Sequence, residues 1–434
     1  MIQTHLDISK RMMERWSPFP NTQTLGSYCP FSQQITLHQC SEKELKSALA
    51  GEDETAGLRV LPLLAHELQH FVDNLGTLWG RQHLVKIFTA FKVRAECDLQ
   101  NFHDVIGLVR ALRRVDYNDY YTELLTAVSE PWDGNVWQYQ FTCGLEIGPN
   151  GLPDKSRPLL FTQFATHSGA PVCRVPLSVA SLLELRSVAA EIHRFQIVLD
   201  QLEKGMRVVE EKLWSKKMLE TLYDPLLTKY TVAGHCLSNA FKIKDLINAF
   251  TIGSHIAGIC LMASASAFDS LKVPLQILNT FGHRCDSFLK NRDPTFMYFV
   301  LVQHARDLAF EECVDVLEHL NAILSRSGLG SVTDVITNGV AAAHAIEAPR
   351  SEGMLGDRVE DIWRLSSGLI ANAAFAHGDG LGRLPLPPIL TADNEFFMAD
   401  DSLNAGTFAR SEDWHTESFR LYNLVVEFAD AVIP

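Results

Sequence analysis

Two histidines and a glutamate stand in the spacing H-E-x-x-H at His66, Glu67 and His70, within the run from Leu63 to Gly80. Positions four apart on an α-helix lie about one turn apart on the same face, so the two imidazoles can bind one metal ion. We expect Zn²⁺, because it accepts neutral imidazole nitrogens and its catalytic sites use three protein ligands and leave a fourth position for water. Glu67 would lie beside that water, where a general base is needed.

The element that must carry this motif is an amphipathic helix. Apolar residues recur at helical spacing through the run; they are Leu63, Leu64, Leu68, Phe71, Val72 and Leu75. Buried histidine and glutamate side chains are costly unless something pairs them, which favours a metal site. The alternative is a helix face that binds solvent and no metal. Pro62 fits a helix that begins at that residue and would kink one that begins earlier.

A second helix supplies candidates for the third metal ligand. The stretch from Val175 to Leu199 has a strong helical pattern and carries Glu184 and Glu191, which are seven residues apart and so lie nearly on the same face. We predict Glu184 as the ligand and Glu191 as a carboxylate that orients an imidazole or a nearby cation, with Glu191 as the alternative third ligand. Both residues could also be ordinary glutamates of a helix surface.

These residues carry a resemblance to a known family. His66-Glu67-x-x-His70, followed more than a hundred residues later by Glu184 on a separate helix, resembles the gluzincin branch of the zinc metallopeptidases, the thermolysin-like arrangement. The resemblance implies a zincin-like catalytic core that hydrolyses peptide bonds of a protein or peptide substrate. It also implies Zn²⁺ held by His66, His70 and the distal glutamate, with Glu67 as the base.

The metzincin variant of the motif is excluded. It needs a glycine three residues after the second histidine and a third histidine six residues after it, and those positions are Asp73 and Gly76. Asp73 lies two turns beyond His66 on nearly the same face, where it could support the site or serve as a third ligand. A helix-capping or surface role for Asp73 is the expectation over direct ligation.

The resemblance also directs attention to parts of the chain outside the two helices. It implies that the segment Gln33 to Cys40, which alternates like a half-buried strand, lines the cleft and pairs with the substrate at a sheet edge. The oxyanion of the reaction needs a further donor, for which Tyr230, His235 and His255 are candidates. A core or surface role is the competing interpretation for each.

Composition excludes several classes of protein. The 434 residues include 38 Lys and Arg against 52 Asp and Glu, a net charge of −14, which argues against a nucleic-acid partner because phosphate binding needs a basic surface. The nine cysteines form no C-x-x-C pair and are expected to be reduced thiols of a cytoplasmic protein. The polar N-terminus does not resemble a secretory signal.

The run from Leu246 to Phe268 is long enough to span a membrane, but its Ser, Thr, Asn and Ala content favours a core helix.

The element pattern predicts a mainly α fold of the α+β type. We expect a short helix at Glu42 to Ala50, a helix at Tyr117 to Val128, and a β section in which Asn135 to Ile147 and Leu159 to Ala165 form a hairpin. The chain beyond residue 205 has helical patterns, the last at Ser411 to Val432. We therefore expect two domains, a zincin-like metallopeptidase core at residues 1–205 and a helical domain at 206–434 that packs on the active-site helix.

Two other classes of function are compatible with these motifs. The first is a ferritin-like di-metal oxidase, because Glu67-x-x-His70 is also an E-x-x-H motif, a second one occurs at Glu412 to His415, and Glu184 and Glu191 could complete the carboxylates. The second is a non-catalytic regulatory or interaction protein on a degenerate zincin frame. Metal content separates the three. The sequence sets neither the cleavage specificity nor the oligomeric state.

Overall fold

Helix dominates the structure. The computed structural model describes residues 4–16, 25–98, 100–117, 119–125, 134–148, 150–243, 246–306, 308, 315–372, 386–399, 408 and 410–432. Helices make up 66% of the structure and strands make up 11%. The expected mainly α class with small sheets is therefore confirmed.

Residue contacts divide the chain into two compact units, each assembled from separate stretches. Unit 1 comprises Met1–Val115, Ser187–Glu210 and Ala342–Pro434, and unit 2 comprises Asp116–Arg186 and Glu211–Ala341. This division does not coincide with a single boundary after residue 205, because the N-terminal and C-terminal stretches of the chain share unit 1.

Unit 1 contains the helix with the H-E-x-x-H motif. Its helices are α1 His5–Trp16, α2 Glu42–Ala50, α3 Glu54–Gly76, α4 Leu78–Ala95, α5 Phe102–Val115, α16 Gly353–Ala371 and α17 Ser411–Val432. Its strands are β1 Gly26–Cys29, β2 Gln34–Leu37, β7 Ile389–Leu390 and β8 Phe396–Phe397. The helices expected at Glu42 to Ala50 and at Ser411 to Val432 are confirmed as α2 and α17.

The sheet of unit 1 has the order β1-β2-β7-β8, with β2 antiparallel to β1 and parallel to β7. The strand expected within residues 33–40 is thus present as β2, but all four of its residues are buried and it is not at the sheet edge. An internal strand uses its backbone groups to bond its neighbours and leaves none for a peptide. The expected half-burial of this strand, and its pairing with a substrate, are therefore wrong.

A buried arginine holds the turn between β1 and β2. Gln33 adopts a positive φ of 55° in this turn, and its Nε2 donates to the carbonyl oxygens of Pro30 at 2.7 Å and Phe31 at 3.1 Å. Arg358 of α16 donates from Nη2 to the carbonyl oxygen of Ser32 at 3.2 Å. Burial lowers the pKa of Arg358 to about 9, so the guanidinium stays charged at neutral pH and tethers the β-turn to α16.

Unit 2 combines an antiparallel sheet with a helical core. Its strands are β3 Glu123–Leu124, β4 Gln138–Ile147, β5 Pro153–Ala165 and β6 Pro171–Pro176, in the order β3-β6-β5-β4. Its helices are α8 Thr228–Phe241, α9 Leu246–Leu261, α10 Ala265–Ser270, α11 Leu275–Phe281, α12 Arg284–Lys290, α13 Pro294–Arg306 and α14 Val316–Arg326. Three helices cross the division between the units: α6 Val179–Leu199, α7 Lys204–Leu222 and α15 Val332–His344. The expected hairpin is confirmed by the pairing of β4 with β5.

Pairing between distant strands overrides two predictions near this sheet. The helix expected at Tyr117 to Val128 is wrong, because residues 123 and 124 form β3 and pair with Arg174 and Cys173 of β6; residues 126–128 of that prediction lie outside the described residues. The second helix begins at Val179 rather than Val175, because Val175 and Pro176 belong to β6 and pair with β5.

The apolar run that could have spanned a membrane is a core helix of unit 2. Its first part forms α9, in which Phe250, Ile256, Ile259 and Leu261 are buried. In the part of the chain that the structure describes, no helix combines the length and the apolar character that crossing a membrane requires.

His235, one of the three oxyanion candidates, is a core residue of unit 2. Its ring is fully buried, stacks on Trp137 with the ring centroids 5.0 Å apart, and donates from Nε2 to the carbonyl oxygen of Leu222 at 2.8 Å. Burial lowers the pKa of His235 from 6.5 to about 4. The pKa values of His415 and His83 are lowered by the same cause, to about 4 and about 3. These side chains are neutral in the folded protein.

Acid should therefore destabilise the fold before the carboxylates titrate. Below pH 6.5 the unfolded chain protonates His235 while the folded protein does not, so the free energy of unfolding falls as the pH drops from about 6.5 to about 4, by up to about 1.4 kcal/mol per pH unit for this group. We expect His235→Gln to show a shallower pH dependence than the wild type in urea unfolding across this range. The exposed His283→Gln is the control. An unchanged slope in His235→Gln would contradict the assignment.

Candidate metal centre

Helix α3 presents the motif from a largely buried position. Asp53 caps its N-terminus by accepting hydrogen bonds from the backbone N–H groups of Thr55 and Ala56. The helix begins at Glu54, eight residues before Pro62, so Pro62 lies inside the helix and not at its start. Proline has no N–H group, and the carbonyl oxygen four residues earlier, that of Leu58, lacks its usual helical donor.

Three side chains of the predicted site converge. One ligand atom from each of His66, His70 and Glu184 lies within 4.8 Å of the others, and the group can hold a metal ion. Zinc ligands at about 2.1 Å in tetrahedral geometry lie about 3.4 Å apart, so shifts of about 1 Å would close the group around one ion. Among the residues that the structure describes, this is the one group of three His, Cys, Asp or Glu side chains that could hold a metal ion.

Each imidazole of the group also contacts a side chain of α6 through Nδ1. The Nδ1 atom of His66 lies 3.2 Å from Oε2 of Glu191, and that of His70 lies 3.0 Å from Oγ of Ser187. With Nδ1 used in these contacts, Nε2 is the nitrogen of each ring that can face an ion. Metal-binding histidines have this pattern, with the second ring nitrogen donating to a nearby acceptor.

Glu191 therefore has the position of an orienting carboxylate. It lies against His66 rather than within the convergent group, which contains Glu184. The division between the two units passes through α6 between residues 186 and 187, and the helix is continuous from Val179 to Leu199.

The backbone of strand β1 lies directly against Glu67. A Cβ atom placed on Gly26 would lie 2.9 Å from Oε1 of Glu67 and 3.1 Å from its Cγ. Such contacts require the side chain of Glu67 or Leu63 to shift, so glycine at position 26 is what leaves Glu67 in its present position. Gly26 could not be predicted from the sequence, because one glycine in a four-residue strand is too weak a signal.

Asp73 is not at the surface. Its side chain is fully buried and accepts a hydrogen bond from Nε2 of Gln69 at 2.8 Å, while its carbonyl oxygen accepts one from Oγ1 of Thr77 at 2.6 Å. The expected surface role is therefore wrong. Asp73 is also not among the three residues of the convergent group.

Of the three candidates for the donor to the oxyanion, one is reassigned to the core and two stay predictions. His235 packs in the core, as described above. Tyr230 and His255 lie on α8 and α9 with intermediate exposure, and an oxyanion role for either remains a prediction.

The second E-x-x-H motif does not form a metal site of the di-metal type. Glu412 is exposed, whereas His415 is buried and donates from Nε2 to the carbonyl oxygen of His5 at 3.0 Å. The two side chains thus face different environments on α17. Neither belongs to the group of metal-ligating residues found among the described positions.

The candidate centre is almost closed to solvent. Glu67 and Glu184 are each 5% exposed and His70 is 1% exposed, whereas the side chain of His66 is 15% exposed. A surface depression of about 460 Å³ lies along residues 348–367 of unit 1, and its lining includes none of these four residues. We regard the convergent group, rather than this depression, as the candidate functional site because it brings metal-ligating atoms together.

Comparisons with protein families, with curated proteins and with solved structures found no match to this chain. A function for this protein must therefore be inferred from the geometry of the site.

Removal of single side chains should rank the ligands. We expect Glu184→Ala to reduce zinc binding more than Glu191→Ala, because a ligand contributes more than an orienting group, whose loss typically costs about 10- to 100-fold in affinity. Zinc content and competition with a chelator measure both effects. Exposed residues on or beside the same helix, His193→Ala and Glu203→Ala, are the controls. The opposite order would make Glu191 the ligand.

A methyl group at position 26 should displace Glu67. We expect Gly26→Ala to lower the free energy of unfolding by about 1 to 3 kcal/mol, as overpacking of a buried site does, and a crystal structure to show the carboxylate moved. Gly107→Ala in α5 is the control, because a Cβ atom there meets nothing within 4 Å. Equal stability of Gly26→Ala and wild type, with Glu67 in place, would contradict the contact.

Proposed function

We propose that this protein is a zinc-dependent metallopeptidase that hydrolyses peptide bonds of a protein or peptide substrate. The observation that carries the proposal is that ligand atoms of His66, His70 and Glu184 lie within 4.8 Å of one another. Glu67, the glutamate of the H-E-x-x-H motif, directly follows His66 in the sequence. Two histidines from one helix and a glutamate from a later helix are the donor set of gluzincins, which the sequence resembles.

The chemistry of the donors favours zinc. Two neutral imidazoles and one carboxylate suit Zn²⁺, and three protein ligands are what a catalytic zinc site uses. A bound zinc ion would act as a Lewis acid and lower the pKa of water toward about 7. His66 and His70 would hold it through Nε2, because their Nδ1 atoms contact Glu191 and Ser187.

Glu67 has the role of general base in this proposal. Its carboxylate accepts a proton from the attacking water and then donates that proton to the leaving amine, so that the same oxygen atoms serve both halves of the reaction. The contact with Gly26 restricts where the carboxylate can lie. Low exposure excludes bulk water, which strengthens electrostatic interactions inside the site.

A non-catalytic protein stabilised by a metal is the second candidate. It is favoured by the 1% to 5% exposure of Glu67, His70 and Glu184, because structural zinc sites are closed to solvent whereas catalytic ones keep an open position. In that case zinc would raise the stability of the protein, and no substrate would be cleaved.

The substitution Glu67→Gln tests the first candidate against the second. If Glu67 is the general base, Glu67→Gln binds zinc as the wild type does and hydrolyses an unfolded protein such as casein about 10²- to 10⁴-fold more slowly. Glu203→Gln, an exposed glutamate, is the control for the loss of one charge. Full activity in Glu67→Gln would reject the role of Glu67. A zinc-loaded wild type that is stabilised but cleaves no peptide in a broad library would favour the second candidate.

A further inference from the structure

Helix α6 carries three residues of the site in one row. Glu184, Ser187 and Glu191 are separated by three and four positions, so they follow one another along the same face of the helix. Glu184 belongs to the convergent group, Ser187 contacts His70, and Glu191 contacts His66. One helix thus supplies the carboxylate of the group and a contact to each imidazole.

Ser187 is the member of this row that neither the motif nor the resemblance assigns. Its side chain is fully buried and His70 is 1% exposed, so water cannot compete effectively for the contact. The distance of 3.0 Å between Oγ of Ser187 and Nδ1 of His70 is that of a hydrogen bond. A hydroxyl oxygen can accept a hydrogen bond from Nδ1–H, which keeps the proton on Nδ1 and leaves the lone pair of the neutral imidazole on Nε2.

The tautomer of His70 decides whether it can bind an ion. A neutral imidazole has one protonated and one unprotonated nitrogen, and only the unprotonated one can ligate a metal. The proton must therefore be on Nδ1 if Nε2 is to face the ion. At His66 the carboxylate of Glu191 favours this tautomer by accepting from Nδ1, and at His70 the available acceptor is a neutral hydroxyl.

We propose that Ser187 is a positioning residue that accepts a hydrogen bond from Nδ1–H of His70 and so fixes the tautomer and the ring orientation in which Nε2 binds the metal. This inference rests on the metal site of the proposed function. It deepens that proposal because side chains of α6 would then determine which nitrogen of each α3 imidazole can bind the metal. Ser187 itself contacts neither substrate nor metal.

Zinc affinity and the tautomer of His70 test the proposal together. We expect Ser187→Ala to weaken zinc binding about 10- to 100-fold in chelator competition, and Ser187→Thr, which keeps the hydroxyl oxygen, to restore it to within a few-fold of the wild type. In long-range ¹H–¹⁵N spectra of the zinc-free protein we expect His70 with its proton on Nδ1, and a loss of that preference in Ser187→Ala. Ser418→Ala, which removes another fully buried helical serine of unit 1, should change neither quantity.

The outcomes separate this inference from the proposed function. If the wild type binds zinc and Ser187→Ala binds it equally well, the positioning role is overturned and the metal site stands. If the wild type takes up no zinc, the proposed function fails. The spectra then decide the role of Ser187, because a wild-type His70 protonated on Nε2 would overturn it. The spectrum of the wild type also decides if Ser187→Ala does not fold.

Discussion

A buried helix needs a hydrogen-bonding partner for each of its polar groups, and the packing of unit 1 around α3 supplies such partners. In α3, Glu67, Gln69, His70, Asp73 and Asn74 are all at most 5% exposed, although unpaired polar groups are costly inside a protein. The partners come from different parts of the chain. Tyr28 of β1 accepts from Asn74 at 2.8 Å, Ser366 of α16 donates to the carbonyl oxygen of Leu75 at 2.6 Å, and the two histidines contact α6.

The position of α3 is therefore set by directional contacts as well as by apolar packing. Apolar packing tolerates small shifts, whereas hydrogen bonds fail beyond a few tenths of an ångström. Segments from residue 28 to residue 366 must be in place before all the polar groups of α3 have partners. This explains why unit 1 draws on the beginning, the middle and the end of the chain.

Local patterns were sufficient to predict part of this arrangement. The shared face of His66 and His70 could be predicted because their spacing follows helix geometry, and that of Glu184 and Glu191 because seven residues span two turns, whereas the role of Glu67 stays a prediction. Ser187 could not be predicted, since a serine in a helix usually has no role in a site and its contact depends on how two helices pack. The same holds for Gly26, whose lack of a side chain matters only because β1 packs against Glu67.

The fold shows the same difference between local and distant interactions. Helix α2 was predictable because Ser41 and Glu44 form a capping box at its start, and the β4–β5 hairpin because its strands are long and adjacent in sequence. The burial of β2 was not, because its partner β7 is two residues long and lies about 350 residues further along the chain. Short strands of this kind carry almost no pattern of their own.

Pro62 divides α3 into a short N-terminal part and a longer C-terminal part that are joined by fewer backbone hydrogen bonds than in a regular helix. Because the proline donates no backbone hydrogen bond, the eight residues before it are joined to the rest of the helix by a weakened turn. Fraying that starts at Glu54 can stop at this turn, so the first two turns can open as a separate cooperative unit while residues 63–76 keep their amide protons protected from exchange. Fraying of the helix N-terminus therefore need not reach the segment that carries both histidines and Glu67.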